Sequence, residues 1–107
     1  MSEYIYINTL DDVAALKDGW DGYEAKKFSA EHLKFIRKIL RKLPKEPMIF
    51  PTARNSVQLE YVRDDGGYLE FEIYANKKIG MYRLDHNGNY LKIVNIDEMV
   101  KEIRLFV

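Results

Sequence analysis

The chain has 107 residues, with 17 Lys and Arg against 17 Asp and Glu, and it contains no Cys. This length predicts one domain spanning residues 1–107, and the missing Cys excludes disulfides, thiolate nucleophiles and Cys-ligated metal sites. No apolar run approaches the roughly 18 residues of a membrane span. We therefore expect a cytoplasmic protein without a membrane partner.

Two short elements are predicted at the N-terminal end. Residues 4–7 are a β-prone run of alternating Tyr and Ile. Thr9 then offers an N-cap, and the apolar residues between Leu10 and Leu16 predict a short helix. Gly19 can end this helix because glycine readily adopts a left-handed conformation.

The segment Gly19–Ala25 contains the single Trp of the chain, Trp20. Gly22 permits a positive φ, and Asp21 can accept hydrogen bonds from backbone N–H groups two residues on. These residues predict a tight, internally bonded turn. Trp20 has two interpretations. We favour a side chain that closes the core beside the first helix, because large aromatics dominate core burial; the alternative is a binding anchor.

An amphipathic helix is predicted from Ser29, as N-cap, to Leu43, before a proline. Its apolar residues fall in one arc of the helix, and the opposite arc is basic. His32 lies on the apolar side, and we interpret it as a hydrogen-bonded, partly buried residue rather than a ligand. The basic face consists of Lys34, Arg37, Lys38, Arg41 and Lys42.

A meander of strands follows. Residues 46–52 are an edge strand or a loop between prolines. Residues 57–63 and 68–75 alternate apolar and polar side chains, which predicts two half-buried strands with Leu59 opposite Phe71 and Tyr61 opposite Leu69. Residues 79–84 predict the next strand.

The sequence Asn87-Gly88 is a strong hairpin signal and leads into the last predicted strand, residues 90–94. With that turn, Leu84 faces Leu91 and Tyr82 faces Ile93, so that all four strands present one apolar face. Asn95 and Glu98 then form a capping-box pattern for a C-terminal helix.

The other face of the predicted sheet mixes polar, aromatic and apolar residues. A solvated face is one interpretation, because tyrosines can lie flat over a sheet and reach water. The other is a partner surface, because Tyr, Met and Arg with few Lys is a composition typical of interfaces. The candidate partner-binding residues are Tyr68, Glu70, Glu72, Tyr74, Met81, Arg83 and Tyr90.

Catalytic chemistry finds little support in the residues. Glu60, Glu70 and Glu72 would share one sheet face, as an acid–base pair requires, but solvated Glu in strands is common. No Ser lies in a Gly-x-Ser-x-Gly motif, and no Gly-rich phosphate loop is present. The segment 85–96 has Tyr90 and Ile96 at the two positions where a calcium loop needs Gly and a bidentate Glu. We therefore predict no catalytic residues, no metal site and no cofactor.

The charge is polarised although its sum is zero. Residues 26–45 carry eight Lys and Arg against one acid, and residues 1–25 carry six acids against one Lys. A basic face at Lys34, Arg37, Lys38 and Arg41 would suit nucleic-acid phosphates or an acidic protein. No helix-turn-helix, zinc-finger or RNA-recognition signature accompanies it.

The chain resembles a family of small, largely uncharacterised bacterial proteins. The shared motifs are G-W-D-G-Y-x-A at residues 19–25, P-T at 51–52, Q-L-E-[WY] at 58–61 and L-E-[IF]-E-I at 69–73. The chain differs at Glu24, where the family usually has Gly, at Tyr61, where Trp is frequent, and at residues 54–56. The resemblance implies a bacterial or phage origin and supplies no activity.

These observations predict an α+β fold: an antiparallel meander sheet of four to five strands, an amphipathic helix packed on one face, and short N- and C-terminal helices. The function they favour is that of a non-enzymatic protein-binding module, as in antitoxin, immunity or anti-defence proteins. One alternative is nucleic-acid binding through the basic helix 30–43. The other is a small-ligand binder or hydrolase that uses the sheet-face carboxylates.

Overall fold

A computed structural model of the protein describes residues 9–86 and 88–107, so that the predicted strand at 4–7 lies outside the described residues. The α+β class and the antiparallel meander are confirmed, with five strands in the order β1-β2-β3-β4-β5. The elements are α1 (Leu10–Ala14), α2 (Ala30–Leu40), β1 (Met48–Thr52), β2 (Ser56–Val62), β3 (Tyr68–Tyr74), β4 (Ile79–Asp85), β5 (Gly88–Val94) and α3 (Ile96–Phe106).

All three helices begin at the predicted caps. The side chains of Thr9, Ser29 and Asn95 each accept a hydrogen bond from the backbone N–H three residues on, at 3.2, 3.1 and 2.8 Å. The side chain of Glu98 accepts from the N–H of Asn95 and completes the capping box. These bonds satisfy N–H groups that a first helical turn otherwise leaves without partners.

Two helices end earlier than predicted. The helix α1 ends at Ala14 rather than Leu16, and α2 ends at Leu40 rather than Leu43. Beyond α2 the N–H of Lys42 bonds to the carbonyl three residues back at 2.9 Å, which is the tighter pattern that often closes helices. The helices α2 and α3 have 11 residues each. Over the described parts of the chain, no helix is long and apolar enough to cross a membrane.

The register of the first strands follows the apolar alternation. Leu59 pairs with Phe71 and Tyr61 with Leu69, as predicted. Residues 63–67 connect the two strands, and the Asp65 carboxylate accepts from the N–H of Gly67 at 2.9 Å within this turn. The segment between the prolines is an edge strand, since β1 pairs with β2 along all of its residues.

The predicted facing of β4 is wrong. Met81 pairs with Phe71, so that Ile79 and Met81 join the buried face, whereas Tyr82 and Leu84 point to the opposite face. The turn 75–78 is compatible with this register: Lys77 adopts a positive φ of 72°, and Ile73 pairs with Ile79.

The pairing of β4 with β5 differs from the prediction by two residues. Gly88 is the first residue of β5 and pairs with Asp85. Tyr82 therefore faces Leu91, and Leu84 does not.

One hydrophobic cluster joins the sheet to the helices. His32 is 1% exposed, and its Nε2 lies 2.9 Å from the carbonyl oxygen of Ile73, to which it donates. Phe28 packs against the imidazole, with ring centroids 5.7 Å apart. The helices contribute Leu10, Val13, Ile36, Ile39, Met99, Ile103 and Phe106 to this cluster. The buried face of the sheet consists of Ile49, Val57, Leu59, Tyr61, Leu69, Phe71, Ile73, Ile79, Met81 and Val94.

Candidate functional site

The sheet face opposite the buried face, termed the open face, carries the central residues of the candidate surface. Tyr68, Glu70, Glu72 and Tyr74 alternate along β3 with fully buried residues, and each is partly exposed. The neighbouring strands add Met48, Phe50, Thr52, Ser56, Gln58, Glu60, Val62, Gly80, Tyr82, Leu84, Asn89, Leu91 and Ile93 to this face.

Three of the seven predicted partner-binding residues lie on the other side of the sheet. Met81 pairs with Phe71 and is 3% exposed, so it belongs to the core. Arg83 and Tyr90 pair with each other two positions further along the same side. The prediction of one surface formed by all seven residues is therefore wrong, because the register between β3 and β4 places these three with the buried residues.

Arg83 is held by groups of its own chain. Its guanidinium lies 3.0 Å from Glu102 of α3 and 3.3 Å from Asp85. Its Cζ lies 4.5 Å from the ring centroid of Tyr90, a cation–π contact. These partners make an arginine tolerable beside the core, which explains how β4 can turn its Arg, rather than Leu84, to this side.

Like charges meet at the centre of the open face. Glu60 and Glu70 are directly paired across β2 and β3. The hydroxyl of Tyr68 donates to Glu70 at 2.6 Å, and the Tyr82 ring lies 6.1 Å from the Tyr68 ring. Burial raises the pKa of Tyr68, and its hydrogen bonds to Glu70 and Glu60 raise it further. Tyr68 thus remains a hydrogen-bond donor between two carboxylates over the physiological pH range.

A second polar cluster lies at the β1–β2 turn. Ser56 is fully buried; its hydroxyl donates to Glu72 and lies 2.6 Å from the Thr52 hydroxyl. Arg54 forms an ion pair with Glu72 at 3.0 Å. Burial raises the pKa of Tyr74, and the Glu72 carboxylate raises it further. This arrangement satisfies a buried serine and fixes the turn, and it has no histidine that could activate the serine as a nucleophile.

Large apolar side chains surround these polar groups. A solvated sheet face normally carries polar residues, so the exposed apolar side chains distinguish this face from an ordinary solvated one. The exposed fractions are 81% for Leu91, 59% for Ile93, 57% for Val62, 48% for Met48, 42% for Leu84 and 40% for Phe50. Three of these six residues, Leu84, Leu91 and Ile93, were predicted to lie in the core, because the predicted facing of β4 and its register with β5 were wrong.

The carboxylates of the hydrolase alternative do not share one groove at the end of the sheet. A groove of about 570 Å³ there includes Glu60, but Glu70 and Glu72 are not among its lining residues. It is lined by Lys45, Glu46, Met48, Glu60, Tyr61, Val62, Arg63, Asp64, Asp65, Phe106 and Val107. Within the described residues, no three or more His, Asp or Glu side chains are grouped so as to hold a metal ion.

The basic face of α2 is exposed along its length. Lys34, Arg37, Lys38 and Arg41 all point to solvent. Arg37 lies 3.2 Å from Asp11 of α1, which neutralises part of this surface. The face is therefore a cationic strip, on a different element from the open face, in which Arg37 is paired with Asp11 of α1.

The Trp20 turn is closed by its own hydrogen bonds. The N–H of Gly19 donates to the carbonyl of Ala25 at 2.7 Å, and Asp21 accepts from the N–H groups of Tyr23 and Ala25. The half-buried Trp20 packs against the hydrophobic cluster, and Tyr23 is 85% exposed. The turn is therefore tight and internally bonded, as predicted, and Trp20 packs at the margin of the core.

Comparison with protein-family models, with curated proteins and with solved structures finds no match to this chain. The resemblance to a family of small bacterial proteins stays a prediction from the quoted motifs.

Proposed function

We propose that the protein is a small, non-enzymatic protein-binding module whose contact surface is the open face of the sheet. The observation that carries this proposal is the combination of a half-buried acidic and tyrosine-rich strand, β3, with exposed apolar side chains on the strands around it. Interfaces combine such aromatic and aliphatic anchors with a few fixed polar groups.

The chemistry of the face indicates the partner. Glu60 and Glu70 are directly opposed, and the Tyr68 hydroxyl donates to Glu70. An incoming Arg or Lys would relieve their repulsion, and apolar residues of the partner would cover Phe50 and Val62. The partner is thus a protein surface with basic residues set among apolar ones. Occupying a partner's surface in this way would make the protein an antitoxin, immunity or anti-defence protein of bacterial or phage origin.

The test compares capture by the wild type with capture by two variants. Phe50→Lys together with Val62→Lys places charge on exposed positions of the open face, and Leu105→Lys is the matched control on α3, where Leu105 is 68% exposed. We expect one host protein to be retained by the wild type and the control but lost by the double variant. Titration of that purified protein should repeat the order. Equal binding by all three proteins, or no partner, contradicts the proposal.

Nucleic-acid binding is the second candidate, and the exposed cations of α2 favour it. Lys34, Lys38 and Arg41 lie on one helix face, where they can reach phosphates. A gel-shift assay at low salt should then show a complex that weakens steeply as salt is raised. Lys34→Glu with Lys38→Glu should abolish the shift, and an unshifted wild-type gel at low salt eliminates this candidate.

A further inference from the structure

The two edges of the described sheet differ in how they are protected. The strand β1 is five residues long and contains Pro51, which has no N–H to donate. The strand β5 is seven residues long, lacks proline, is exposed at six of its residues, and carries one charged side chain, Lys92, which is paired with Glu98 on α3. Natural sheets protect their edges with short strands, proline or charge, and an unprotected edge is a template for another strand.

The hairpin geometry shows which backbone groups of β5 point away from β4. Asp85 pairs with Gly88, and these two residues flank the turn of the hairpin. The residues that flank a two-residue turn form a hydrogen-bonded pair through their backbone N–H and C=O groups. Hydrogen-bonded and non-bonded pairs then alternate along an antiparallel ladder. The N–H and C=O groups of Asn89, Leu91 and Ile93 therefore point to the edge. Leu91 is the middle residue of the strand and is 81% exposed.

We propose that a second copy of this chain pairs with β5 in antiparallel orientation, with the two-fold axis at Leu91. Each Leu91 then faces its own copy, and Asn89 faces Ile93. In this register all seven residues of each β5 are paired, and the two five-stranded sheets join into one of ten strands. The axis is perpendicular to the sheet, so that both open faces lie on the same side of the dimer.

Charge favours this register over its neighbour. Lys92 is the sole charged residue of β5, and its Nζ lies 3.4 Å from Glu98 of the same chain. With the axis at Leu91, Lys92 stands opposite Tyr90 of the second copy. An axis at Lys92 would place two ammonium groups directly opposite each other, and like charges in that position are destabilising.

Sedimentation velocity over micromolar to millimolar concentrations tests the dimer. The wild type should convert with concentration to twice the 12.7 kDa mass of the chain. Leu91→Lys should stay monomeric throughout, and Leu105→Lys, an equivalent change at an exposed residue of α3, should dimerise like the wild type. A wild type that stays monomeric, or a Leu91→Lys protein that dimerises normally, overturns the proposal.

Disulfide trapping tests the register. The natural chain has no Cys, so Leu91→Cys introduces a single thiol. Opposed residues of a hydrogen-bonded antiparallel pair have Cα atoms about 5.5 Å apart, within disulfide range. Under a mild oxidant Leu91→Cys should be linked much faster than Leu105→Cys, and equal rates would contradict the register.

Phe50→Lys with Val62→Lys should dimerise normally because neither residue is on β5, so the dimer can be tested separately from the proposed partner.

Discussion

The buried His32 should make the stability of the protein depend on pH just below neutrality. Its side chain is 1% exposed, and its Nε2 donates to the carbonyl of Ile73 at 2.9 Å. Its Nδ1 has no hydrogen-bond partner among the described residues. Burial lowers the pKa of His32, although the bond to Ile73 raises it in part. Protonation would place an uncompensated charge in the core.

The sign and size of the effect follow from proton linkage. The unfolded chain binds a proton at His32 near its ordinary pKa of about 6.5, and the folded chain binds it only at lower pH. The unfolded state therefore holds more protons in this range, so the free energy of unfolding falls as the pH falls. Between about pH 7.5 and 5.5 this one group can remove at most about 1.4 kcal/mol.

Urea unfolding of the wild type and His32→Gln at a series of pH values measures this contribution. The glutamine amide can still donate to the Ile73 carbonyl but does not titrate. We expect the stability difference between the two proteins to change by up to about 1.4 kcal/mol as the pH falls. His86→Gln is the control, because it leaves His32 in place. Parallel pH profiles for the wild type and His32→Gln would refute the reasoning.

Three further substitutions test individual contacts by urea unfolding. Tyr61→Phe removes the hydroxyl that donates to the Lys45 carbonyl at 2.6 Å and should cost about 1 kcal/mol; an unchanged midpoint would show that water replaces this bond without loss. Asn95→Ala removes the cap of α3 and should also lower the free energy of unfolding by about 1 kcal/mol. The helical circular dichroism signal should be lost at the lower urea concentration at which this variant unfolds. Trp20→Ala should cost about 2 kcal/mol because the ring is half-buried against the core; a cost near zero would make it a surface residue.

The sequence predicted the pairing of β2 with β3 because their core residues, Val57, Leu59, Tyr61, Leu69, Phe71 and Ile73, all share one parity, from which the apolar Val62 departs. On β4, Ile79 and Met81 have one parity and Tyr82 and Leu84 the other, so alternation alone cannot decide which set is buried. Tertiary contacts decide it: Arg83 reaches Glu102 on α3, 19 residues away, and that contact leaves no local trace in the sequence. The sequence therefore predicted only part of the open face. The positions of its β3 residues follow from the alternation of apolar and polar side chains, whereas the positions of its β4 and β5 residues do not.

Each strand of the sheet pairs with the strand next to it in the chain, so most of the pairing joins residues that are close in sequence. Chains with such local pairing form their sheets quickly, because little loop entropy is lost before the first contacts form. The helices are attached by more distant contacts, such as His32 with Ile73, 41 residues apart, and Arg63 with Phe106, 43 residues apart. We expect the hairpins to form in the folding transition state and the helices to dock after it. Destabilising changes in α2 should then accelerate unfolding, and those in the β2–β3 hairpin should slow folding, which stopped-flow kinetics can distinguish.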